Sequence, residues 1–508
     1  MNLLSSTYVF SFYTLISRVL GYLRDILIAT FLGASIFADA FFVAYRLPNT
    51  FRRLFAEGTF NAAFIPSYTS ARVKNKKKGN KFADEVFNLL ILILFFIVLL
   101  AEIFTPYLVY IIAPGFFENT EKLNLAIEFT RITFPFLLFV SLSSFFSGIL
   151  NSNHKFAAAA AAPIILNVVL ILSLVVSYCL KLNFAKQLSY GVTLAGIIQL
   201  FFLIYFTKKY YKPALNFKFK LSNNVKLFFK KLLPSVLSSG VTQINIFVGT
   251  IIASFEASAV SYLYYADRIY QINLALAGIA VGTVSLPVLS KAFKQKNVAK
   301  ISNIQNRSIE LSFLLSIPAS LGLILASEEI VNALFGYGSF NLENVKMTSL
   351  ALIYFGYGVP AFALIKILSN FFFARNNTQT PFLISTFIIS LNIIISLFFF
   401  SKIGFIIIPI ATSISTWVGV IIYLYYLQNK KYLLIQYYLP INILKIILSA
   451  IFMSFFLIIA LDYYAIYLDY AYKYKSICLI LIVGFVAGIY LITSYLTGIL
   501  KVKNFKTN

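Results

Sequence analysis

The sequence predicts an all-α polytopic membrane protein of about fourteen transmembrane helices, arranged as two parallel six-helix lobes plus two additional C-terminal helices. Three observations lead there. Sixty per cent of the 508 residues are hydrophobic and only 12% are charged, with a mean hydropathy of +0.86, whereas average soluble proteins carry about a quarter charged residues. Lysine and arginine concentrate in every second segment between the apolar runs. Proline, serine and asparagine also recur at one fixed spacing in the two halves of the chain.

Apolar runs such as 86–100, 164–176 and 382–400, taken with their flanks, reach the roughly 20 residues that span a bilayer core. The expected spans are 8–33, 37–70, 83–113, 123–151, 156–180, 186–207, 226–254, 258–290, 304–333, 345–374, 379–401, 403–428, 440–462 and 476–500. Those at 37–70 and 258–290 are the least hydrophobic. The start, Met1 to Ser6, has no basic region and no small-residue cleavage signal, so it is expected to be an uncleaved approach to the first span. Segments after even-numbered spans hold 22 Lys and Arg, and segments after odd-numbered spans hold 7. The positive-inside rule then places both termini in the cytoplasm.

Pro135, Ser144, Phe146, Asn151 and Asn167 recur as Pro360, Ser369, Phe371, Asn376 and Asn392, at an offset of 225. Lys208-Lys209-Tyr210 recurs as Lys430-Lys431-Tyr432 at an offset of 222. Spans 1–6 thus look duplicated as spans 7–12. An even number of spans per half gives parallel repeats, a design that encloses a central cavity and works by rocking one lobe against the other. The expected divisions are 1–222 for the N-terminal lobe, 223–432 for the C-terminal lobe and 433–508 for spans 13 and 14.

Polar side chains within spans are costly and mark function. Span 1 carries Ser17, Arg18, Arg24 and Asp25; span 2 carries Asp39, Arg46, Arg52, Arg53 and Glu57; span 8 carries Asp267 and Arg268. Six arginines face four carboxylates in this set. An excess of guanidinium at bilayer depth calls for a water-filled cavity and an anionic partner. Arginine binds phosphate oxygens through a planar two-pronged donor set, so the expected ligand is a phosphate or pyrophosphate on a lipid or polyprenyl carrier.

The blocks Ser17-Arg18-Val19-Leu20-Gly21-Tyr22-Leu23-Arg24-Asp25, Asp39 to Asn49, and Arg52 to Gly58 resemble the first- and second-helix signatures of the MurJ (MviN) family. Tyr265-Ala266-Asp267-Arg268-Ile269-Tyr270-Gln271 resembles its eighth-helix motif, with Gly282-Thr283 and Leu286-Pro287 following. The family belongs to the multidrug, oligosaccharidyl-lipid and polysaccharide exporter superfamily. The resemblance implies a flippase that carries lipid II, an undecaprenyl-pyrophosphate bearing a disaccharide-pentapeptide, from the cytoplasmic to the periplasmic leaflet of a bacterial inner membrane for peptidoglycan synthesis. It implies that Arg18, Arg24 and Arg268 bind pyrophosphate in a cavity, with Arg52 and Asp39 also functional. Ser17 and Glu57 complete the expected substrate-binding set. The two additional helices are implied to form a groove for the lipid tail. At Asn273 the sequence departs from the family, which commonly has proline there. A polyprenyl-pyrophosphate-linked polysaccharide exporter of the same superfamily is the alternative.

Other classes fit poorly. The net charge of +25 falls mostly between spans, so nucleic-acid binding is not expected. His154, the only histidine, lies in a short basic loop, and there is no P-loop or metal-ligand cluster, so no enzyme activity and no cofactor are expected. Cys179 and Cys478 read as small buried hydrophobes. Na⁺ coupling is considered, with Asn245 or Asn392 as candidate ligands. The protein is expected to act as a monomer among membrane lipids.

Overall fold

The computed structural model describes residues 3–56, 59–216 and 222–500, and every regular element among them is helical. The helices are α1 Leu3–Leu32, α2 Ile36–Ala56, α3 Thr59–Lys74, α4 Lys76–Ile103, α5 Thr105–Ile112, α6 Thr120–Thr133, α7 Phe136–Ser152, α8 Phe156–Leu180, α9 Phe184–Thr207 and α10 Asn223–Ala253. They continue as α11 Ala259–Leu274, α12 Val281–Lys294, α13 Val298–Leu325, α14 Ser327–Phe335, α15 Leu342–Phe373, α16 Gln379–Ile403, α17 Ile407–Asn429, α18 Tyr438–Tyr463, α19 Ala465–Leu468 and α20 Lys475–Leu496. Among the described residues, nine stretches are long and apolar enough to cross a membrane, one of them running through both α16 and α17. The helices outside that set include α1, α2 and α11, which hold Arg18, Arg24, Asp25, Asp39, Arg46, Arg52, Arg53 and Arg268.

Several expected spans are two helices in series. The third breaks at Phe104, before Pro106 in the first turn of α5, and the fourth breaks at Phe134–Pro135. Proline has no N–H and favours the start of a helix over its interior. Pro360, by contrast, sits inside the unbroken α15.

The duplication is visible in the helix bounds. Lys76–Ile103 followed by Thr105 recurs as Val298–Leu325 followed by Ser327, an offset of 222. Asn75 and Asn119 cap α4 and α6, and Asn297 and Asn341 cap α13 and α15 at the same offset. Each amide oxygen takes an N–H of the first turn that has no partner within the helix. The loop match at 222 therefore gives the helix register, and the five identities at 225 are displaced from it by a few residues. A second device also recurs. The Asn88 amide donates to Ala214 O (2.9 Å) and accepts from Asn216 N (3.3 Å). The Asn306 amide does the same with Leu434 O (2.8 Å) and Gln436 N (3.0 Å). Each pins the connector that follows the ninth or seventeenth helix.

Packing divides the chain into two compact units, Met1–Ser261 and Tyr262–Asn508. In the first, α1 lies on α8, α2 on α6 and α7, and α9 on α7 and α8. A cluster of rings from α3, α4, α7 and α10 forms its core, with Phe64 stacked on Phe60 and Tyr68 and touching Phe82, Phe145 and Phe228. The α10–α11 turn is fastened within this unit: Ser254 Oγ accepts from Gly115 N (3.0 Å), and Ser258 Oγ donates to Ala34 O (2.6 Å). A Cβ at Gly115 would lie 2.4 Å from Ser254 O, so this close approach admits only glycine. In the second unit, α15 packs between α13 and α17, and α18 and α20 bury Ile446, Ala450, Leu457, Ile482 and Val486 beside α13 and α14.

Candidate substrate site

Ser17 and Arg24 are seven residues apart on α1 and share a face. Both meet Asn167 of α8. Arg24 Nη1 donates to Asn167 Oδ1 (2.9 Å), and Asn167 Nδ2 donates to the Ser17 carbonyl (2.8 Å). The same guanidinium donates through Nε (3.0 Å) and Nη2 (2.6 Å) to Asp25 Oδ1. Arg24 is 6% exposed and Asp25 2%, so the charge is held away from solvent in a fixed orientation. Asp25 neutralises the guanidinium, and Asn167 fixes the direction of its remaining edge.

The other expected residues are distributed as follows. Arg18 is exposed on a different face of α1 from Arg24. Arg52 is half-buried and its Nε donates to Asn49 Oδ1 (3.0 Å); Arg46 and Arg53 are also half-buried. Asp39 is fully buried and does not join Arg24. Its Oδ2 accepts from Lys122 Nζ (2.6 Å), while Oδ1 accepts from Ser261 N (2.9 Å) and Ser261 Oγ (2.5 Å). The carboxylate thus caps the first turn of α11 and neutralises a lysine from α6. Glu57 lies outside the described residues. In the second unit, Arg268 is half-buried, donates through Nη2 to Tyr264 Oη (2.8 Å) and lies 4.7 Å from the centre of that ring, a cation–π arrangement.

Three polar residues outside the expected set stand out in the structure. In the sequence Asn167 marks the repeat, and an amide in the middle of an apolar helix is itself a signal. Its repeat counterpart Asn392 turns to its own neighbours instead, donating to Thr412 Oγ1 (3.0 Å) and accepting from Ser396 Oγ (3.1 Å). Lys122 falls just before the expected fourth span, where a lysine is ordinarily solvated, yet it is 6% exposed. Lys366, a cation in the interior of the apolar α15, approaches the α11–α12 helix near Gly278. No group of three or more His, Cys, Asp or Glu that could hold a metal ion occurs among the described residues.

Long apolar helices in a duplicated order, with charged side chains on α1, α2 and α11, define a polytopic helical membrane protein. A sequence model of the family described as "Lipid II flippase MurJ" matches residues 28–489, and the chain belongs to that family. It is 36% identical over 512 residues to the "Probable lipid II flippase MurJ" of Rickettsia prowazekii, covering 99% of both chains. It is 34% identical over 388 residues to the "Lipid II flippase MurJ" of Burkholderia cenocepacia, covering 75% of each. Among solved structures, "Lipid II flippase MurJ, inward closed conformation" superposes with a TM-score of 0.82 at 29% identity, covering 96% of this chain and 98% of that one. A multidrug resistance MATE family transporter of the MOP superfamily shares the fold, with a TM-score of 0.67 at 13% identity.

Proposed function

We propose that this protein moves lipid II from the cytoplasmic to the periplasmic leaflet, with arginines of the first unit and Arg268 of the second contributing pyrophosphate contacts. The observation that carries this is Arg24, buried and oriented by Asp25 and Asn167. Family membership supplies the substrate. The two sequence repeats act as lobes that expose the site alternately on each side, with the last two spans as an accessory element, and the protein works as a monomer. Outward movement of an anionic headgroup is favoured by an inside-negative potential, by about 2.3 kcal/mol per charge per 100 mV. Na⁺ coupling belongs to the same proposal, with Asn392, Ser396 and Thr412 supplying neighbouring oxygens. The direct test is lipid II accessibility from the periplasmic side in cells depleted of the protein. Accessibility should fall; unchanged accessibility would remove the function.

Substrate identity has its own test. Purified protein should bind lipid II more tightly than an undecaprenyl-pyrophosphate carrying an unrelated O-antigen sugar. Equal binding, together with failure to rescue a wall defect, would favour a polysaccharide exporter.

Orientation rests on loop charge, 22 cations against 7. A reporter placed near Lys78 or after Asn508 should behave as cytoplasmic, and one near Asn119 as periplasmic. A periplasmic signal from the C-terminal fusion would refute the even number of spans and with it the parallel repeats.

A further inference from the structure

The expected fourth span carries an arginine that the candidate site does not use. Arg131 stands in the last turn of α6 and is exposed, and its guanidinium has no hydrogen-bond partner among the described residues. Glu128, one turn earlier on α6, is bonded to Lys186 of α9 instead (2.8 Å). Glu102 of α4 attracts Arg131 without forming an ion pair with it. A guanidinium within a span that lacks acceptor oxygens is costly. The repeat does not demand one there, since at the 222 register the counterpart of Arg131 is Ile353 of α15.

Arg131 lines a groove of about 680 Å³ between α6, α8 and α9, a volume within the range of ligand sites, about 300–1,000 Å³. Leu172 and Val176 of α8 and Leu194 and Ile198 of α9 wall it, all apolar and 40–54% exposed. The helices are tied along it. A Cβ at Gly191 of α9 would lie 2.4 Å from Ser173 Oγ of α8, and Thr193 Oγ1 of α9 donates to the Ile132 carbonyl of α6. Gln187 is three residues into α9 and Ile198 fourteen, so the groove runs from about 5 Å to about 21 Å along that helix. That is the depth of one leaflet, about 20 Å with its headgroups. Being even-numbered spans, those of α6 and α9 start on the same side of the membrane. Helical side chains lean back toward the helix start, so Arg131 leans toward the headgroup level, where Gln187 and Tyr190 also stand.

We infer that this groove holds one glycerophospholipid, with an acyl chain between α8 and α9 and its phosphate diester on Arg131. The lipid belongs to the leaflet that faces the α8–α9 turn, the periplasmic one in the orientation proposed above. Its phosphate supplies the acceptor oxygens that the guanidinium lacks, and its chain covers the exposed apolar walls. A groove one leaflet deep fits an acyl chain, whereas a polyprenyl tail would overrun it. The site lies apart from Arg24 and concerns a bound membrane lipid, not the transported one.

Native mass spectrometry of the purified full chain tests this, with phosphatidylglycerol and diacylglycerol of the same chains as probes. The parent should retain phosphatidylglycerol at about tenfold lower concentration than diacylglycerol, the effect of one charge-assisted contact. Arg131→Gln should abolish that preference. Leu194→Trp fills the groove from an exposed position and should weaken retention of both lipids by about fivefold. Lipid II binding should stay within about twofold of the parent in both variants. Equal retention of the two probes by the parent overturns the site, and so does a preference that survives Arg131→Gln. Unchanged retention in Leu194→Trp would reduce Arg131 to a loose headgroup contact and overturn the groove. Loss of lipid II binding along with phosphatidylglycerol in Arg131→Gln would give the groove to the transported lipid instead. Failure of the flippase reading itself leaves the phospholipid readout untouched.

Discussion

Arg24→Ala should abolish lipid II transport, and most of the loss should be in binding. The substitution also leaves Asp25, 2% exposed, without its cation. Removing one partner of a buried ion pair costs about 3–5 kcal/mol, so the alanine variant is expected to be less stable as well as inactive. The double variant Arg24→Gln, Asp25→Asn separates the two effects. It removes both charges while keeping hydrogen-bonding groups of similar shape, and its thermal midpoint in detergent should return most of the way to that of the parent. Lipid II binding should not return with it. Arg24→Lys should be impaired too, since an ammonium cannot reach Asp25 and Asn167 with a planar fork. Asn167→Ala should weaken binding by about tenfold, the effect of losing one charge-assisted hydrogen bond of about 1.5 kcal/mol. A neutral double variant that still binds lipid II at the parent affinity would remove Arg24 from the site.

Lys122→Met should produce the second large effect, and it should appear in stability. Asp39 has no exposed surface, and Lys122 is the cation on its Oδ2. Without that ammonium a carboxylate remains buried against Ser261 alone, again at a cost of about 3–5 kcal/mol. Asp39→Asn in the same background should recover most of the loss, because a buried pair replaced on both sides leaves no uncompensated charge. Melting curves of the two single variants and the double variant measure this as a coupling between the sites. If Asp39 served mainly by touching substrate, Asp39→Asn would lower lipid II affinity at an unchanged melting temperature. Burial and full occupancy of both oxygens predict the reverse order, with stability lost first.

Much of the fold was legible because membrane insertion is written one residue at a time. Each apolar side chain contributes its own transfer free energy and each loop cation its own bias, so 86–100 or 382–400 announce a helix without reference to any other part of the chain. The duplication was legible for a related reason. Asn75 and Asn119 cap helices by contacts within a few residues, so the same caps at Asn297 and Asn341 follow from local sequence. The candidate site was legible as a list of charges, because arginine in a span is conspicuous wherever it packs.

What the sequence determined by itself, then, was the class of protein, the order of its helices and which helices carry the charged groups. Tertiary structure alone decided who meets whom. Asn167 reaches Arg24 across 143 positions and Lys122 reaches Asp39 across 83, and no periodicity within either helix foretells such a pair. Tertiary structure likewise set the packing of the π-turn at Ala275–Ala280, where Gly278 lies against Ala363 of α15. The physical reason is common to all three. Burial and capping are sums over local terms, whereas the pairing of buried polar groups depends on which helices lie side by side and at what rotation, and that is a property of the packed whole.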